Sequence, residues 1–201
     1  MPLFPGRSKK ERCAAIFQEI QVYYREEAVT DRLDTLLPTF FQKKQAGYKL
    51  RCSAAKARAL VPFAWRIAHE ILDEDNPVHA SLKQAAFHLN KVYECLSSDH
   101  PDPTATMKVH GVKFALQYVA LHDHLNPAND KAFRIKPKLH LFLHITGDGS
   151  IPRKYWTYRD EDFGGSVARM ARRRGGLLRC GQTSAQVLRK FKVKNACVRI
   201  R

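Results

Sequence analysis

The sequence predicts an all-α fold, an irregular multi-helix domain with a basic helical C-terminal third. Apolar residues recur at spacings of three and four along most of the chain, helix-start signals stand at the head of these segments, and no run of alternating β-branched residues marks a strand. With 201 residues and 44% hydrophobic content, the chain can bury a real core, which excludes a disordered polybasic tail.

The elements follow in order. Ser8-Lys9-Lys10-Glu11 has the spacing of a capping box, in which the Ser oxygen accepts from the third helical amide and the Glu reaches back. Behind it Ile16, Phe17, Ile20, Tyr23 and Tyr24 form a helical stripe. A short helix is expected from Asp31 to Leu37, stopped by Pro38. Ser53 opens an Ala-rich segment to about Leu72, with Leu60, Phe63, Ala64, Ile67 and Ile71 on one face and Pro62 placed to kink or split it. Asn76-Pro77 joins a capping side chain to a proline at the first helical position, and Leu82, Ala85, Ala86, Leu89, Val92 and Leu96 supply the stripe. Residues 97–103 form a loop, a helix runs from Thr104 to Leu125, and residues 126–130 make a turn. Leu139, Phe142, Leu143 and Ile145 follow Pro137 in an apolar segment too short for its pattern to decide between helix and strand.

The charge is uneven. The whole chain carries +16, and residues 151–201 hold 14 Lys and Arg against Asp160, Glu161 and Asp162, a balance of +11. Residues 1–150 thus form a helical body and residues 151–201 a basic helical segment, whose apolar Phe163, Val167, Met170, Leu177, Leu178, Val187, Leu188 and Phe191 are expected to pack on that body as one structural domain. Within the segment, Asp160 to Arg174 reads as a helix stopped by Gly175-Gly176, and Thr183 or Ser184 to Val193 as a last helix.

Arg169, Arg172, Arg173, Arg174, Arg179, Arg189, Lys190, Lys192 and Lys194 would place a row of cations along one surface. Like charges at helical neighbour spacing repel by a few tenths of a kcal/mol each, and a polyphosphate backbone relieves that repulsion while releasing its counterions. Tyr155, Trp156 and Tyr158 could add stacking on bases. An interfacial membrane helix would need a broader Trp, Phe and Leu face than this segment has. The bland counterpart is a solvated basic face without a partner.

Two further clusters could carry chemistry. His140 and His144 are four apart, so a helix would offer two imidazoles to one metal, while His122-Asp123-His124 makes a short polar cluster nearby in sequence. The glutamate that helical metallopeptidase motifs place after the first His is replaced by Leu141, which favours the plainer reading of two partly buried, hydrogen-bonded rings at the edge of a packed helix. Asp160-Glu161-Asp162 could bind magnesium or serve as acid and base, yet three acids in the first turn of a helix are also explained by the macrodipole, with Asp160 as cap. No phosphate-binding glycine loop, Ser nucleophile motif or Cys-His signature is present. Cys13, Cys52, Cys95, Cys180 and Cys197 are odd in number and far apart, which reads as free thiols rather than a disulfide framework or a zinc site.

Residues 135–174 carry a likeness to a known family. Ile135-Lys136-Pro137-Lys138-Leu139-His140, with His144 after it, then an aromatic pair and Glu161-x-x-Gly164 leading into a basic helix, resembles the C-terminal region of CACTA-type and related cut-and-paste transposases. Residues 54–63 and 114–122 are similar to the helical segments that precede it, so the likeness spans roughly two thirds of the chain through short motifs. The resemblance implies descent from a mobile element and contact with DNA. It does not imply transposition, because such enzymes mount a metal-binding carboxylate triad on a sheet for which this chain has no strands, leaving Glu161 without partners. Family members are much longer, so a remnant, a domesticated piece or one part of a split protein is expected.

The expectation is therefore a non-enzymatic nucleic-acid-binding protein, with DNA favoured over RNA, no cofactor and no membrane partner. A metal-dependent nuclease using Asp160, Glu161 or Asp162 with His140 or His144, and magnesium as its ion, is the alternative; a helical scaffold for an acidic protein or ribonucleoprotein is the third reading. No stretch reaches the roughly 18 apolar residues of a membrane helix, and residues 1–7 lack a signal peptide's apolar run, so an intracellular protein, nuclear in a eukaryote, is expected.

Overall fold

The structure is a computed structural model that describes residues 4–41, 50–96, 100–125 and 133–149, together with Arg189. The chain divides into two compact units, Met1–Trp156 and Thr157–Arg201. Among the described residues the fold is all-α: six helices, one 3-10 turn and no strand. No helix among them is long and apolar enough to cross a membrane.

Helix α1 (Lys9–Glu26) begins with the expected capping box, Ser8 Oγ accepting from the Glu11 amide at 3.1 Å while Glu11 Oε2 accepts from the Ser8 amide at 3.4 Å and also from the Arg7 amide at 2.7 Å. These bonds hold the Glu11 carboxyl below its ordinary value. Glu27 is the C-cap of the helix, and Ala28 then adopts φ 48°, the left-handed position usually given to glycine. Arg32 secures this exit by donating to the carbonyls of Val29 at 2.6 Å and Tyr24 at 3.0 Å.

The expected helix over Asp31–Leu37 does not form. Leu33 and Leu36 are drawn separately into the first core, and the Leu33 amide donates to the Tyr24 hydroxyl at 3.0 Å instead of to a helical carbonyl. Pro38 disfavours helical geometry in the residue before it and begins the 3-10 turn Pro38–Phe41.

Pro62 splits the Ala-rich segment, as the sequence allows, into α2 (Ala54–Ala59), capped by Ser53, and α3 (Val61–Ile71), where Pro62 occupies the first turn. Of the expected α3 face, Ala64 is exposed and Ala68 is buried in its place. Ile20, Tyr23, Tyr24, Leu33, Leu36, Leu60 and Phe63 form the first core. Tyr23 donates its hydroxyl to the Ala59 carbonyl at 3.2 Å, joining α1 to α2.

Helix α4 (Pro77–Glu94) is capped by Asn76, whose Oδ1 accepts from the amides of Val78 and His79 at 3.0 and 3.3 Å. Asp102 Oδ1 accepts from Ala105 at 3.2 Å and so serves the start of α5 (Pro103–Leu125). The apolar segment after Pro137 is a helix, α6 (Pro137–Gly147). Val92, Cys95, Leu96 and Met107 form a second core, with Tyr93 and Phe142 packed against it. The α5–α6 crossing is close at Gly111, where a Cβ would lie 2.7 Å from Thr146 Cβ and nearer still to its hydroxyl. Thr146 is 3% exposed and donates back to the Phe142 carbonyl at 3.0 Å.

Cys13, Cys52 and Cys95 are free thiols; Cys180 and Cys197 lie outside the described residues.

Candidate histidine site

Helix α6 is built by Pro137 at its first position, which fixes a helical φ where no amide donor is needed, followed by Leu, Phe and Ile at helical spacing. Phe142 turns inward and meets Phe114 of α5 edge-on at 5.2 Å. Tyr118 of α5 donates to the Arg134 carbonyl at 3.2 Å and meets Phe133 edge-on at 5.3 Å, which ties down the approach to α6. Burial pushes the Tyr118 phenol above its ordinary value.

With Phe142 and Thr146 directed inward, His140 and His144 stand together on an exposed part of the helix. Their Nε2 atoms are 2.9 Å apart and their rings meet edge to face, with centroids 4.4 Å apart at 89°. Residues four apart lie one turn above another on one face, so this meeting follows from the helix itself. The sequence reading expected partly buried rings; both residues are exposed, because inward packing at this level is taken by Phe142 and Thr146. Among the described residues no group of three or more His, Cys, Asp or Glu is gathered for a metal, and His122-Asp123-His124, in the last turn of α5, adds no third ligand.

A second histidine pair was not anticipated. His88 of α4 and His110 of α5 bring their Nδ1 atoms to 2.9 Å, with His88 only 7% exposed. Two neutral imidazoles satisfy this geometry, one ring donating and the other accepting. Burial first, then the His110 ring and Lys113, hold His88 below its ordinary value; burial, Lys113 and Lys91 do the same for His110. The pair belongs to a succession of rings across three helices: Trp65 of α3 meets Phe87 of α4 at 5.1 Å, and Phe87 meets His110 at 5.8 Å. The signal was present in the helical spacing of Ser81, Ala85, His88 and Val92, all buried on α4, with buried Cys95 next at its C-cap. The expected stripe of Leu82, Ala85, Ala86, Leu89, Val92 and Leu96 shares Ala85 and Val92 with that set but omits His88, and its Leu82, Ala86 and Leu89 are only half-buried.

Of the residues expected to meet nucleic acid, Arg189 is helical and exposed. Arg169, Arg172, Arg173, Arg174, Arg179, Lys190, Lys192, Lys194, Tyr155, Trp156 and Tyr158 lie outside the described residues, as do Asp160, Glu161 and Asp162, the two basic helices and their packing on the body.

Compared with the models of known protein families, with curated proteins and with solved structures, the chain matches none.

Proposed function

We propose that the chain is a non-enzymatic nucleic-acid-binding protein that neutralises phosphates through the Lys and Arg of residues 169–194. The observation that carries this reading is the concentration of +11 of the net +16 in the last 51 residues. A cationic row of this density gains free energy from a polyanion by releasing condensed counterions, whatever the base sequence. The solvent-facing position of Arg189 supports the reading, since a side chain in that position is accessible to a phosphate. Duplex DNA is the preferred partner, and descent from a mobile element rests on the likeness of residues 135–174 to transposase C-terminal regions.

The test is a salt titration of binding to duplex DNA, single-stranded DNA and RNA, with and without magnesium, while the nucleic acid is checked for cleavage. Affinity should fall steeply with salt, and replacing Arg172, Arg173 and Arg174 by Ala should lower the slope of log K against log salt by up to about three while leaving helical content intact. Affinity unchanged between low and physiological salt would refute the reading. Magnesium-dependent cleavage abolished by Glu161→Gln would replace it with the nuclease, and absence of binding with the scaffold for an acidic protein.

A further inference from the structure

The geometry points to a two-histidine site for a divalent late-first-row cation, copper(II), nickel(II) or zinc, formed by His140 Nε2 and His144 Nε2 on the exposed face of α6. The separation of the nitrogens decides the chemistry. Two imidazole nitrogens each about 2.0–2.1 Å from one ion and about 90° apart around it lie about 2.9 Å from each other. The observed distance is 2.9 Å, which suits adjacent positions of a square-planar or octahedral ion. A tetrahedral zinc would need the rings about 0.4 Å further apart, within reach of a small rotation of two exposed side chains.

Three further observations agree. The rings are attached to one helix, whose Thr146 is anchored in the interior, so the second imidazole is held at high effective concentration once the first has bound. His144 lies in the last turn, where the partial negative charge of the terminal carbonyls favours a cation. Imidazole nitrogen selects borderline ions over magnesium or calcium, which prefer oxygen. With no third protein ligand among the described residues, the remaining coordination positions belong to water or to a donor brought by another molecule. The site is independent of the proposed phosphate contacts.

The full chain should be titrated with copper(II) chloride and followed by calorimetry and by the nitrogen couplings of the copper electron-spin spectrum. His140→Gln and His144→Gln should each weaken the site about tenfold or more, and the double variant should lose it with its helical circular dichroism unchanged. His122→Gln with His124→Gln should leave it in place. In the unsubstituted protein, nickel(II) should protect His140 and His144 from carbethoxylation mapped by mass spectrometry, and magnesium should not. Copper binding and nitrogen couplings indistinguishable between the parent and the His140, His144 double variant would overturn the site, as would loss of the signal in the His122, His124 variant. The pair would then be a hydrogen bond between two imidazole rings and nothing more.

Discussion

The two cores of the N-terminal unit are closed by different means. Around α1 to α3, side-chain hydroxyls are spent on the backbone: Tyr24 accepts from the Leu33 amide and Tyr23 donates to the Ala59 carbonyl. Around α4 to α6, closure depends on nearness and on a polar pair, with Thr146 pressed against Gly111 and His88 facing His110. Burying a polar group is tolerable in either case because it has a partner. A peptide group does not titrate in ordinary solution, whereas an imidazole partner does. The first core is therefore indifferent to mild acid and the second is not. The phenols of Tyr23 and Tyr24, raised by burial, place the first core's weakness on the alkaline side instead.

The largest expected effect that separates the two regions is at Gly111. Gly111→Ala puts a methyl group into the Thr146 side chain, and overpacking of this kind costs about 1–3 kcal/mol, offset in part by the better helix propensity of alanine, about 1 kcal/mol. Denaturant unfolding should show the loss, and Thr146→Ala in the same background should recover only part of it, because the Cβ at 146 stays 2.7 Å from the new methyl group.

Next comes acid. Because the folded values of His88 and His110 lie below their unfolded ones, the unfolded chain binds more protons as pH drops below about 6.5. Stability is complete above that pH and declines on acidification until the folded rings protonate, by at most about 1.4 kcal/mol per pH unit for each extra proton. Melting temperatures at pH 7.5 and 5.5 should differ less in His88→Gln than in the parent. The window is distinct from that of Glu11 and Glu74, whose lowered carboxyls lose their contribution only below about pH 4.5. Equal melting shifts in the two proteins would erase the contrast between the regions.

The smallest effect is a gain in the first region. Ala28 holds φ 48° at the exit from α1, so Ala28→Gly should relieve local strain and raise stability by about 0.5–1 kcal/mol, read as a higher denaturant midpoint. The same substitution in the interior of a helix would be destabilising.

Capping chemistry was the most legible part of the sequence, because a cap is decided by residues within one turn of each other. Ser8 with Glu11, Ser53, and Asn76 with Pro77 all start helices where they were expected. Asp31–Leu37 was misread because the helical spacing of Leu33 and Leu36 is also produced by an irregular chain that drops two leucines into one core, and the tyrosine hydroxyl that wins the Leu33 amide is nine residues away. Helix α5 shows a second limit. Met107, Gly111, Ala115 and Leu121 are buried while Val109, Val112, Leu116 and Val119 are exposed, so both faces are apolar and periodicity alone could not say which one turns inward. At the histidine site the spacing of His140 and His144 was legible and their exposure was not, since exposure depends on Phe142 reaching α5. The His88 and His110 pair joins residues 22 apart on two helices, a distance over which sequence pattern carries no register.

The ring succession through α3, α4 and α5 also gives the unit an optical handle. The chain has two tryptophans, and Trp65 sits half-buried at the α3–α4 contact, edge-on to Phe87 at 5.1 Å and beside His69 at 5.2 Å. Indole emission moves to longer wavelength as water replaces neighbouring rings, so separation of α3 from α4 would be visible as a red shift without any attached dye. Trp156→Phe would leave that emission to Trp65 alone, and the fluorescence of such a variant would report on the seam between the two cores.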